Sequence, residues 1–287
     1  MTDLIQPTRL PPGVVVAGLA ATWLAALYAG LVQHSLADFA AWSASGWALL
    51  ALASALWLTP RQFVSGYLVS LLAFLIAWRV AAMNDAWLLM GVASVTAVLL
   101  LLQFIDCVAA DWRRLRGQPQ AWLGTLAWQA TVVRLGFGLN EIGHSTEKIF
   151  AGLGSFHTLV HGFQGLGLGA YAGMFVVMGG LIELASAISV GLGLFARLGA
   201  VVSLVYFLVA TVGFGGEWAR GYAWASPGGG GWEYVMMLLV VFTGVLMTGA
   251  GRFSIDAWLL RQGWLPGWAQ GLCTNAYGQQ PALRQSS

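Results

Sequence analysis

Eight apolar segments of roughly membrane-spanning length constrain the fold of this chain more than any other feature. The hydrocarbon core of a bilayer needs about 20 apolar residues per helix. No alternation of polar and apolar residues, as in the strands of a transmembrane barrel, competes with these runs. We therefore predict an all-α integral membrane protein with about eight transmembrane helices, near residues 14–32, 41–58, 63–83, 86–105, 122–142, 171–194, 198–214 and 232–248.

The composition supports this class and excludes others. Charged residues make up 8% of the 287 residues, against roughly 25% in an ordinary soluble domain. So few charges cannot cover the surface of a soluble enzyme, and a nucleic-acid site needs clustered Lys and Arg. Fifteen Trp and 38 Gly are typical of membrane proteins, in which Trp collects at interfaces and Gly at helix contacts.

The basic residues predict the orientation, because cytoplasmic loops of membrane proteins carry an excess of Lys and Arg. An N-terminus in the cytoplasm places nine of the 13 basic residues inside, and an even number of spans returns the C-terminus to the cytoplasm. Lys148 and Arg220 then lie outside, and Arg79 and Arg134 lie within spans. The nine inside residues are Arg9, Arg61, Arg113, Arg114, Arg116, Arg197, Arg252, Arg261 and Arg284.

A charged segment near residues 110–121 divides the predicted spans into two groups of four. We predict two four-helix bundles, with an N-terminal membrane region at 1–112 and a second membrane domain at 122–260. Residues 261–287 are predicted to form a polar, loosely ordered cytoplasmic tail, because they are rich in Gln and Ser.

Arg134 and Glu183 fall deep within predicted spans, where ionisable groups are costly and often functional. Counted from the predicted span ends at about 1.5 Å per residue, their depths differ by about 6 Å. We therefore expect the two side chains to neutralise each other. One interpretation is an ion pair that locks the bundle, and the other is a quinone or proton site.

Three carboxylates and one arginine lie near predicted span ends, where water is accessible. Asp106, Asp111 and Glu233 are expected to be solvated, and Arg79 is expected to extend its guanidinium to the interface.

The predicted outside segment at 143–170 is rich in groups that can carry chemistry. It contains His144, Lys148, His157 and His161, together with apolar residues that suit a helix in the outer interface. His157 and His161 are four residues apart and would share one helical face. Such a pair can bind a metal ion or haem iron. The alternatives are polar anchoring at the interface and contact with a partner or substrate.

The second half of the chain resembles the DoxX/DoxD-like membrane family over about residues 122–260. Four short motifs in the same order carry the resemblance: RLGFG at 134–138 with GH at 143–144 and Lys148, GGLIEL at 179–184 with GLGLFAR at 191–197, GWE at 231–233, and GAGRFSID at 249–256. The four additional N-terminal spans depart from the short members of that family.

The resemblance implies a four-helix unit of the bacterial cytoplasmic membrane, linked to thiosulfate:quinone oxidoreductase and other redox assemblies. It implies quinone as the cofactor and further membrane or periplasmic redox subunits as partners. The site residues it implies are Arg134, His144, Lys148, Glu183 and Glu233, with quinone near Arg134 and Glu183.

Three functions remain open on the sequence. The first is a respiratory-type oxidoreductase subunit that passes electrons from thiosulfate or another periplasmic donor to quinone. The second is a non-catalytic anchor or assembly subunit of a larger redox complex. The third is a transporter of a small solute, although the chain lacks Gly- or Pro-interrupted spans at matching positions of its halves.

Overall fold

A computed structural model describes residues 5–119, 121–214, 216–223 and 230–273, and the secondary structure of these residues is helical. The long helices are α1 (Pro12–Leu31), α2 (Asp38–Ala53), α3 (Phe63–Met83), α4 (Trp87–Leu115), α5 (Ala121–Ile149), α7 (Ala172–Ser186), α8 (Ala196–Phe207) and α10 (Trp232–Thr248). The short helices are α6 (Leu153–Phe163), α9 (Gly216–Ala219), α11 (Ile255–Gln262) and α12 (Gly267–Cys273).

Six helical segments in the described part of the chain are long and apolar enough to cross a membrane. Three of them include π-helical turns that continue α2 to Leu58, α7 to Gly191 and α8 to Phe214. Helix α5 has 29 residues but carries several charged side chains, and α10 is apolar but has only 17 residues. Membrane-embedded helices are therefore established, while the full set of eight spans stays a prediction.

The helices pack as two groups that meet along α3 and α5. Helix α1 lies against α2 and α4, and α2 lies against α3. In the second group, α5 packs on α7 and α8 packs on α10. One hydrophobic cluster runs through α1–α4 and continues onto Leu135, Leu139 and Ile142 of α5. The residues that face each other are often alanines, which permit the close helix contacts that packing in a membrane requires.

The prediction that Asp106 and Asp111 are solvated is wrong, because both carboxylates are buried at the end of α4. Asp106 Oδ2 accepts hydrogen bonds from the backbone N–H groups of Thr8 and Arg9, at 2.7 and 2.6 Å. Asp111 accepts the indole N–H of Trp128 at 2.8 Å and lies between two arginines. The two carboxylates thus tie the N-terminal segment and α5 to the end of α4.

Part of the predicted loose tail is helical. Ser254 caps α11 by accepting the backbone N–H of Ala257 at 3.1 Å, and Gly263 ends the helix with a left-handed backbone. Helix α12 follows and is held by Arg197, whose Nη1 donates to the carbonyl of Gly271 at 2.7 Å. Residues 274–287 of the predicted tail lie outside the described residues.

Candidate functional site

Helix α5 carries most of the candidate residues because it is longer than predicted. The expected end at residue 142 is wrong, since the helix continues to Ile149. Glu141, His144 and Lys148 are therefore three or four residues apart on one helix and share a face. His144 and Lys148 belong to this helix and not to a loop.

A charged cluster forms where this face of α5 meets α3 and α7. Lys148 Nζ lies 3.0 Å from Glu183 Oε1 and 3.7 Å from Glu147 Oε1. Arg79 of α3 lies 3.7 Å from Glu147, and His144 Nδ1 lies 3.5 Å from the same carboxylate. The members of this charged cluster are Arg79, Glu141, His144, Glu147, Lys148 and Glu183.

The lysine–glutamate pair in the cluster is buried, with side-chain exposures of 8% for Lys148 and 7% for Glu183. Tyr206 of α8 donates a hydrogen bond of 2.8 Å to Glu183 Oε1. The other oxygen of Glu183, Oε2, is buried without a partner. The pair thus joins α5 to α7, and the tyrosine extends the connection to α8.

Two glycines on α7 make room for this pair. A Cβ atom on Gly180 would lie 2.9 Å from Lys148 Cβ and 2.7 Å from Ile149 Cγ1, both shorter than normal contacts. A Cβ on Gly179 would lie 3.1 Å from the hydroxyl of Tyr206. The GGLIEL motif therefore combines the close approach of α7 to α5 with the carboxylate that pairs with the lysine.

Glu141 belongs to the cluster and was missed by the sequence analysis. It is 1% exposed, its Oε1 has no hydrogen-bond partner, and it interacts electrostatically with His144, Lys148 and Glu183. Its spacing from His144 and Lys148 would have revealed it, had the helix been predicted beyond residue 142. The hydropathy of the sequence gave no reason to extend this helix past residue 142, because residues 143–149 are mostly polar.

The charges of the cluster do not balance without an additional proton. Glu141, Glu147 and Glu183 are three carboxylates, whereas Arg79 and Lys148 are the two permanent cations. A low-dielectric site disfavours a net charge. One further proton, on either Glu141 or His144, would neutralise the group. The arrangement is therefore suited chemically to hold and release a proton.

Arg134 lies apart from the charged cluster, and its expected pairing with Glu183 is wrong. Arg134 is 2% exposed, and its guanidinium donates to the carbonyls of Val190 at 2.8 Å, Phe253 at 2.7 Å and Gly191. The depth count failed because α5 spans about 43 Å at 1.5 Å per residue, so its first turns project beyond the end of α7. Arg134 thus meets the last carbonyls of that segment, where the helix dipole is negative.

The remaining predicted site residues lie elsewhere. Glu233, expected to be solvated, is buried in the first turn of α10, and its Oε1 accepts the backbone N–H of Ala223 at 2.8 Å. His157 and His161 share the exposed face of α6, as their spacing predicts. Among the described residues, no group of three or more His, Cys, Asp or Glu side chains could hold a metal ion. Metal binding by the two histidines stays untested.

A groove leads from the charged cluster into the apolar part of the molecule, between α3, α4 and α5. Its polar end is a cavity of about 460 Å³ that includes Arg79, His144 and Glu147. Its apolar end is a cavity of about 430 Å³ lined by side chains such as Phe74, Leu101 and Phe104. Both cavities share Leu75, Leu139 and Asn140, so they adjoin.

The groove has the dimensions of a site for an elongated ligand. Its lining on α5 extends from Val132 to Glu147, which is about 22 Å at 1.5 Å per residue. One end offers a guanidinium, an imidazole and a carboxylate, and the other offers aliphatic and aromatic surface. Such a site fits an amphipathic molecule with a polar head and an apolar tail.

These helices and this buried cluster define a multi-pass membrane protein. The DoxX family model matches residues 130–216, which include five of the six cluster members, Arg134 and all of α8. No curated protein and no solved structure matches the chain. The matched segment forms one wall of the groove, and α3 and α4, outside the match, form the other.

Proposed function

We propose that this protein is the quinone-reactive membrane subunit of a respiratory-type oxidoreductase in the bacterial cytoplasmic membrane. The quinone would enter the groove with its ring at the charged cluster and its isoprenoid tail along the apolar end. Reduction to quinol adds two electrons and two protons to the ring. The electrons would come from thiosulfate or another donor at the outer face, either directly or through a partner subunit.

The observation that carries the proposal is the junction of the apolar groove with the charged cluster. Membrane quinones have a polar ring and a long apolar tail, and the groove offers surfaces of both kinds in that order. Arg79 and His144 at its polar end can donate hydrogen bonds to a quinone carbonyl. His144 lines this end and Glu141 is buried next to its lining residues Asn140 and Ile142, so a proton held by either group would lie near a reduced ring that needs it.

The proposed topology has eight transmembrane helices with both termini in the cytoplasm. Arg113 near Asp106 and Arg252 near Asp111 share the end of the molecule where α4 finishes. Arg79 and Lys148 lie at the other end. The excess of arginine at the first end supports its placement in the cytoplasm, and the charged cluster then lies toward the periplasmic side.

The experiment is an assay of thiosulfate-dependent quinone reduction by the full chain, purified from its native membrane with any co-purifying subunits. Gly136→Leu and Gly143→Leu test the groove, because both positions line it and an added Cβ meets no atom within 4 Å at either. Gly244→Leu on α10 is the matched control, since a Cβ there also meets nothing. We expect the two groove variants to lose quinone binding and turnover while the control keeps both.

A second variant tests the proton role of the cluster. Glu141→Gln keeps the shape of the side chain, and Glu141 Oε1 has no hydrogen bond to lose. We expect turnover to fall by about 10²-fold or more, the usual scale for a lost proton donor, while quinone binding stays within about twofold. Normal turnover in Glu141→Gln together with normal turnover in both groove variants would refute the proposal.

A second candidate function is that of a non-catalytic anchor or assembly subunit. The contact that favours it is Arg79–Glu147, which links α3 of the first helix group to α5 of the second. In that case the cluster locks the two groups together, and the groove receives a lipid or a partner helix. A complex that assembles only with this chain, and whose quinone reduction is unchanged by the groove variants, would support the anchor function.

A further inference from the structure

A second polar pocket lies at the opposite end of the molecule from the charged cluster, between the start of α3 and helix α11. Gln62, Ser65, Arg252, Trp258 and Arg261 contribute its polar groups, and none of the described residues that line it is acidic. The pocket shares no lining residue with the groove and lies far from its polar end, so it is not part of the proposed quinone site.

Two hydrogen-bond donors in this pocket have no partner. Ser65 is 5% exposed, and its hydroxyl makes no hydrogen bond. The indole Nε1 of Trp258 is also buried without an acceptor. Buried polar groups in proteins are normally paired, so two orphaned donors on one pocket indicate that an acceptor belongs between them.

The pocket also receives the N-terminus of α3. This helix has 21 residues, and its N-cap residue, Gln62, makes no side-chain capping bond. The first backbone N–H groups of a helix lack intrahelical acceptors and carry the positive end of the helix dipole. Phe63, Val64 and Ser65 of this first turn all line the pocket, so the helix end faces the same space as the two orphaned donors.

Two arginines stand at the exposed rim. Arg252 pairs with Asp111 at 3.2 Å, and that carboxylate is shared with Arg114 and Trp128. Arg261 forms no ion pair with any residue that the structure describes. Burial and then the charge of Arg252 lower the pKa of Arg261, because the two guanidiniums are close enough to repel each other. A bound anion would relieve this repulsion.

We propose that this pocket binds a phosphate group, either in the headgroup of an anionic phospholipid or as a free phosphate or phosphate ester. The floor has room for about one oxygen-sized group, which would accept from Ser65, Trp258 and the first turn of α3. The other phosphate oxygens would face Arg252 and Arg261 at the rim. Guanidiniums and helix N-termini both favour phosphate, which has several acceptor oxygens to share among these donors.

Native mass spectrometry of the full chain with bound phosphatidylglycerol tests this proposal, using Arg261→Gln, Trp258→Phe and Ser65→Ala. Arg116→Gln is the matched control, because it removes one exposed positive charge from the end of α4 outside the pocket. Arg261→Gln should weaken binding about tenfold or more, the scale of one charged hydrogen bond. The Phe and Ala variants should weaken it about two- to tenfold, and the control by less than twofold.

Competition with inorganic phosphate distinguishes the two sources. Displacement of the lipid by millimolar phosphate, but not by chloride at equal ionic strength, would identify a free phosphate or phosphate ester as the ligand. Retention of the lipid would identify the headgroup. Equal binding in all variants, or equal losses in Arg261→Gln and Arg116→Gln, would overturn the proposal, because binding would then depend on general charge. Circular dichroism of each variant confirms that it is folded.

Discussion

Lys148→Met should strongly destabilise the protein, because it leaves the carboxylate of Glu183 buried without its cation. The two charged atoms are 3.0 Å apart, and Coulomb's law at an effective dielectric constant near 20 gives about 5.5 kcal/mol for that separation. Removing one partner of a buried pair typically costs about 3–5 kcal/mol. We therefore expect the free energy of unfolding to fall by about 3–5 kcal/mol at pH 7.

The pH dependence of this loss distinguishes an electrostatic cause from a packing defect. A carboxylate that has lost its cation can take up a proton. Each unit by which the pH is lowered makes the protonated form more favourable by about 1.4 kcal/mol. The loss in Lys148→Met should therefore be smaller at pH 5 than at pH 7. A packing defect would be the same at both values.

Denaturant unfolding in detergent micelles, followed by circular dichroism, measures these differences. The double variant Lys148→Met/Glu183→Leu removes both charges and should recover most of the lost stability, since no unpaired charge remains. A single variant within about 1 kcal/mol of the native protein, or a double variant as unstable as the sum of the single losses, would refute the reasoning.

Three further predictions concern packing, backbone hydrogen bonds and pH. Gly180→Ala should cost about 1–3 kcal/mol in an unfolding assay, because its Cβ would overlap α5; Gly244→Ala, where a Cβ meets nothing, should not. Arg134→Met leaves three backbone carbonyls without a donor and should lower the free energy of unfolding by at least 3 kcal/mol, at about 1 kcal/mol or more per acceptor; a loss below 1 kcal/mol would contradict that role. Burial raises the pKa of Asp256 to about 6, above its unfolded value, so the folded protein gains stability from this group as the pH falls from 7 to 5 and loses it as the pH rises through 6; Asp256→Asn should remove this part of the pH dependence of the melting temperature.

The sequence predicted the helices better than their ends. Apolar runs located the long helices, because lipid leaves backbone groups no partner but one another. The end of α5 was placed seven residues too early, since Gly143–Ile149 includes polar residues and hydropathy falls there. That polar stretch stays helical because Lys148 pairs with Glu183 of α7 and Glu147 pairs with Arg79 of α3, which no property of the segment itself reveals.

The sequence indicated three members of the charged cluster as site residues but neither Glu141 nor the arrangement of the group. His144, Lys148 and Glu183 were all named in advance, and the structure brings these three together. The partner of Glu183 was predicted to be Arg134, whereas it is Lys148. Depths counted from span ends assume that all helices begin and end at the same two planes, and α5 does not.

The amino-acid sequence by itself determined that this is a helical membrane protein with ionisable residues in its interior. The chain has too few charged residues to cover a surface that faces water. In lipid, the backbone N–H and C=O groups of its long apolar runs can pair with one another in helices. The tertiary structure alone decided which charges meet, where a groove opens between α3, α4 and α5, and which donors converge beside α11. These features depend on how packed helices are offset and rotated against each other. Contacts between residues far apart in the chain set that geometry, such as the contact between Gly180 and Lys148, which are about 30 residues apart.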